Sequence, residues 1–144
     1  MIRQPKGFTL IELLVAVLII AVGILGVAGM QVVSMQQNRN ALLRDQALQA
    51  GNDILDRMRA NSLTTYATVA FDAEPATASD CNNVLCSRLV MKDFDIAQWK
   101  CRINPMTAAG VVHDTCDTLG IQTASLPGGR GSIGVDAADA NIIV

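Results

Sequence analysis

Aromatic side chains are scarce in this 144-residue chain: Phe8, Tyr66, Phe71, Phe94 and Trp99 are the whole set. It has one histidine, His113, no proline between Pro5 and Pro75, and no cysteine before Cys81. Neither sign of charge dominates, since 11 basic and 13 acidic residues leave a formal net charge of −2. An interleaved, slightly acidic pattern argues against a nucleic-acid partner held by a broad basic face. The single histidine and the scattered acids form no converging catalytic set, so no catalytic residue and no cofactor site is assigned. "HDTC" does set His113 near Cys116, but that cysteine has other candidate partners. "LPGGRG" reads as a turn and lacks the lysine and hydroxyl of a phosphate loop.

What the chain does have is a long apolar start, "KGFTLIELLVAVLIIAVGILGVAGM". From Phe8 to Met30 the only charge is Glu12. A helix of that length rises about 34 Å, enough to cross a bilayer core. Arg3 and Lys6 precede it, so the positive-inside tendency keeps Met1 in the cytoplasm and exports the chain beyond the apolar run. A secretory signal peptide cut near Ala28 is one reading, but the apolar run is long for that purpose. A plain membrane anchor is another. It leaves Glu12 unexplained, because an acid deep in a membrane helix costs roughly 2.5–3.5 kcal/mol. A cut between Gly7 and Phe8 resolves this. The new α-amine of Phe8 would lie one helical turn from Glu12, or face the Glu12 of a neighbouring chain, and each charge would relieve the other's burial. Gly23, Gly26 and Gly29 make this segment a soft helix, or one that neighbouring helices approach closely.

The helical rhythm continues to about Asn61. Met35, Leu42, Leu48, Ile54, Leu55 and Met58 recur as an apolar stripe that the rest of the chain is expected to cover. Asp53 and Arg57 stand at i and i+4 in the favourable order. A helix over residues 8–61 would be about 80 Å long. Beyond it, residues 63–86 read as loop. Asp93 or Asp95 is expected to cap a short helix through about Ile103 that contains Trp99 as a core residue, with a break near Asp93 separating two opposed apolar stripes. "GSIGV" and "NIIV" around "DAADA" read as antiparallel strands, and the chain stops at Val144 within the second.

Cys81, Cys86, Cys101 and Cys116 are an even set in a core-poor segment after a membrane-directing start, which predicts disulfides. Of three pairings, Cys81–Cys86 with Cys101–Cys116 closes the shortest loops; the spacing leaves the others open. A zinc site at Cys101, His113 and Cys116 lacks both a CxxC pair and a second histidine, so no metal ligand is assigned.

"KGFTLIELLVAVLIIAVGILG" resembles the leader junction and helix start of type IV prepilins and pseudopilins. "AVGILGVAGMQ", "DILDRMRAN", "DFDIAQWK" and "LPGGRGSI" look like the PilV group of minor pilins. The resemblance implies an α+β fold: a long N-terminal helix whose second half packs on a small disulfide-stapled domain with a short antiparallel sheet. It implies a leader over residues 1–7, a membrane and filament-core segment over 8–33, an amphipathic continuation over 34–61 and a periplasmic head over 62–144. A prepilin peptidase would cut after Gly7 and Phe8 would be N-methylated. The chain would wait in a bacterial inner membrane, among lipid and beside the pilus assembly platform. It would then join major and minor pilins in a filament, with Glu12 guiding docking. On this reading it helps prime a type IV pilus or occupies its tip. A type II secretion pseudopilin, or a membrane-anchored binding module or adhesin, is the alternative.

Overall fold

The computed structural model describes residues 7–135 and 142–143. The leader residues before Gly7 and the stretch "DAADAN" lie outside them, as does Val144. The chain divides into two compact units, the first ending at Leu42 and the second starting at Leu43.

Helix α1 runs unbroken through Leu10–Ala60, 51 residues and about 76 Å at the α-helical rise. No proline interrupts it, and its first turn is closed by the Thr9 carbonyl, which accepts from Glu12 N at 3.1 Å and Leu13 N at 3.3 Å. Arg57 and Arg59 occupy the last turn, where cations suit the helix dipole. The apolar stripe of its second half is only partly covered. Ile54 and Met58 are buried, whereas Met35, Leu42 and Leu48 stay exposed. The cover therefore begins near Ala50, later than the periodicity suggests.

Helix α2, Arg88–Ile103, is continuous. The expected break near Asp93 is absent, and neither Asp93 nor Asp95 caps the helix. Ser87 does, accepting from Val90 N at 3.4 Å. No break is needed because the early stripe is not buried: Leu89 is exposed and the buried face starts at Phe94. Helix α3 is the short segment Asp114–Thr118, tied to α2 by the Cys101–Cys116 disulfide. The second disulfide joins Cys81 to Cys86.

The expected antiparallel sheet is not developed. Among the described residues, pairing is limited to a two-residue ladder of β1, Gly134–Val135, with β2, Ile142–Ile143, and isolated bridges at Val69–Ile133 and Met106–Val112. Strands this short contribute little by themselves, so the second unit rests on its core. That core gathers Ile54, Met58, Tyr66, Trp99, Ile103 and Ile133. Trp99 is its centre, 2 % exposed, with its indole N–H donated to Ala50 O at 2.8 Å. The "LPGGRG" turn closes over it. Gly128 takes a positive φ of 71°, and a Cβ on Gly131 would stand 2.5 Å from the Trp99 ring. Only glycine permits that approach.

Candidate functional site

The first candidate surface is the start of α1. Gly7 and Phe8 precede the helix and Phe8 is 84 % exposed. Glu12 lies in the first turn and is exposed. An acid there has a local use, since it favours the positive end of the helix dipole by about 0.3–1 kcal/mol. The residues after it are large and apolar, and Leu13, Leu14, Leu18, Ile19, Ile20, Ile24 and Leu25 are all at least 60 % exposed. A helix apolar on every side needs lipid or other helices around it. The segment is long and apolar enough to cross a membrane. Positions 23, 26 and 29 are open, with nothing within 4 Å of a Cβ built on any of the three glycines. Together with Ile20, Ile24, Val27 and Ala28, Gly23 lines a shallow apolar groove.

The second unit contains a buried polar node. Arg57 donates to Asp53 at 3.2 Å, to Asp95 at 3.0 Å and to Gln98 at 2.6 Å. The same guanidinium thus satisfies a neighbour on α1 and two groups on α2. Asp95 and Gln98 are both buried. Burial pushes the Asp95 carboxyl above its ordinary value, although Arg57 pulls it back. Burial also raises the Tyr66 hydroxyl, which is enclosed near this node without a hydrogen bond of good geometry.

Lys100 is a second buried charge. Its ammonium donates to Ala70 O at 3.0 Å and Gly131 O at 2.6 Å and lies 5.9 Å from the Trp99 ring centroid. Desolvation lowers its pKa. It joins two loops to α2 through their carbonyls.

Among the described residues, the chemistry-bearing side chains do not converge on a reaction centre. Cys101 and Cys116 are bonded to each other, which removes both thiols from a zinc set with His113. Among the described residues, no group of three or more His, Cys, Asp or Glu could hold a metal ion. His113 is half-buried and its backbone N–H donates to Pro105 O at 2.9 Å.

The structure places Gly7, Phe8 and Glu12 together at the start of α1, and the four cysteines in the second unit as two local pairs. Among the described residues it brings no side-chain partner to Glu12. What the residue pattern did not reveal is the Arg57–Asp95 pair and the buried Lys100. The i, i+4 spacing of Asp53 and Arg57 was the one visible signal for the first; the second carried none.

Two family models match consecutive parts of the chain. Residues 2–28 match the prokaryotic N-terminal methylation motif, so the chain carries a prepilin-type start. Residues 29–97 then match the model described as type IV pilin Tt1218, which places a type IV pilin domain directly after that start. Searches of curated proteins and of solved structures find no significant match.

Proposed function

We propose that this chain is a minor pilin of the PilV group, built into a type IV pilus during its priming or at its tip. The observation that carries the reading is the exposed apolar start of α1 with Glu12 in its first turn, in a segment that matches the methylation motif. The leader spans residues 1–7 and a prepilin peptidase cuts between Gly7 and Phe8. The freed ammonium of Phe8 stands at the positive end of a helix, where a cation is unfavourable. A nearby carboxylate offsets that cost, and between subunits it sets the depth at which helices dock. Residues 8–33 lie in the inner membrane until assembly draws them into the filament core. Residues 34–61 continue the helix, and residues 62–144 form the head on the periplasmic side, where disulfides persist. The partners are lipid, the peptidase, the assembly platform and other pilins; the role is mechanical, without catalysis.

Mass spectrometry of the mature N-terminus tests this. Methylated Phe8 is expected, whereas a retained Met1 or a cut near Ala28 overturns it. Glu12→Gln should leave the protein in the membrane and remove it from sheared filaments. A type II secretion pseudopilin shares the same start, but the type IV pilin match over residues 29–97 favours the pilus. Deletion should abolish surface filaments and leave secretion intact.

A further inference from the structure

The two disulfides of the second unit stand in opposite surroundings. Cys101 and Cys116 are both 0 % exposed and join α2 to α3, so a reagent reaches their sulfurs only when the head opens. Cys81 is 9 % exposed and Cys86 is half-buried. Every residue between them is exposed, and so are Ser87 to Val90. Among the described residues, no backbone N–H from Asn83 to Cys86 has a hydrogen-bond partner. A segment with so little holding its backbone opens locally at small cost.

Opening the Cys81–Cys86 bond leaves the rest of the head in place. None of the core residues gathered around Trp99 lies within the loop it closes. The start of α2 is held without it, by the Ser87 cap on Val90 N at 3.4 Å and by Asn61 Nδ2, which donates to Arg88 O at 2.9 Å. The two sulfurs also differ. Cys86 directly precedes the cap of a 16-residue helix that begins with Arg88 and has no acid in its first turn, and such surroundings favour a thiolate. Cys81 follows Asp80, whose carboxylate accepts from Asn82 N at 2.9 Å, and a neighbouring negative charge disfavours one.

We propose that Cys81–Cys86 is a thiol-exchange site on the folded head, opened and reclosed by the dithiol of a thiol–disulfide oxidoreductase while Cys101–Cys116 stays closed. The external thiolate attacks Sγ of Cys86, on the more exposed residue of the pair. The Cys81–Cys86 bond breaks, a mixed disulfide forms, and Cys81 leaves as a thiolate that takes up a proton. The second thiol of the reagent, once deprotonated, attacks the mixed disulfide and expels the Cys86 thiolate. Two electrons have then passed from the dithiol, which ends as a disulfide, to the cysteine pair, and an oxidised reagent reverses the sequence. After the first step alone, Cys86 carries the reagent as a covalent modification. The site is independent of the filament reading, because it needs only a thiol in the compartment that holds the head.

The test uses the detergent-solubilised full-length chain without denaturant. Dithiothreitol is added, samples are quenched with iodoacetamide over time, and labelled cysteines are quantified by mass spectrometry. Cys81 and Cys86 should be labelled roughly tenfold or more faster than Cys101 and Cys116, with Trp99 fluorescence unchanged meanwhile. Equal rates, or labelling of Cys81 and Cys86 only as the Trp99 signal is lost, would overturn the site. As a second measurement, the full-length chain with Cys81→Ser should carry, in cells, a mixed disulfide on Cys86 that a reductant removes. Cys86→Ser should carry roughly tenfold less on Cys81. A free Cys86 thiol in the first variant would rule out exchange in cells, and equal adducts in both would overturn the order of attack.

Discussion

Residues 8–42 and residues 43–135 reach order by opposite routes. The first stretch is one helix whose large apolar residues are nearly all exposed, so its backbone is satisfied internally while its side chains await an environment. The second has fewer apolar residues to spend and closes a core around Trp99 with two disulfides, a three-acceptor arginine and a buried lysine. Specific long-range contacts thus belong to the head, and non-specific burial belongs to the start of α1. The start of α1 can exchange lipid for neighbouring helices without losing internal structure. The head has no comparable freedom.

The sharpest way to break the comparison is Arg57→Ala. It strands the buried Asp95 carboxylate, and urea unfolding of the detergent-solubilised full-length chain should show a loss of about 3–5 kcal/mol. Replacing the pair together by Met and Leu should restore most of that loss, because two apolar groups leave no uncompensated charge.

The disulfides rank next. Cys101 and Cys116 are fully buried and 15 residues apart, which in the chain-entropy picture gives about 3 kcal/mol. Cys81 and Cys86 are 5 apart, for about 2 kcal/mol. Paired serine substitutions compared by thermal melting should preserve that order.

A smaller effect appears in the pH dependence. Lys100 has a pKa lowered from 10.5, so the native head releases this proton before the unfolded chain does. Stability should therefore rise with pH between the lowered value and 10.5. Asp95 is raised from 3.8, so the native head holds that proton to higher pH, and stability should fall as pH rises through that window. Urea midpoints of Lys100→Met should lose the alkaline rise and keep the acid-side fall.

The smallest expected change is Glu12→Gln. At an exposed site its effect on unfolding of the head should stay within about 0.5 kcal/mol, even if filament incorporation collapses. A large loss of stability would erase the distinction between the two regions.

Legibility in the sequence followed the same divide. The α1 helix was readable because an apolar run and a 3.6-residue rhythm without proline are local signals. The head was harder. Asp95 looked like a cap because carboxylates near a helix start commonly are; its partner Arg57 is 38 residues away, and no local pattern announces that contact. The start of α2 is hidden for a related reason, since Ser87 follows a cysteine in a loop and the apolar residues after it are not buried. Alternating apolar segments near the C-terminus suggest longer pairing than the two residues per strand observed. Lys100 gave no hint, as lysines are rarely buried.

Lys100 also constrains the order in which the head is completed. Its ammonium reaches backward to residue 70 and forward to residue 131, and Ile133, fully enclosed, pairs with Val69. Until residues 131–133 have been delivered, the lysine has lost half its acceptors and the Trp99 ring lacks its lid. A head in which those residues have not yet docked would be an open half-core, attractive to proteases and to other unfinished chains.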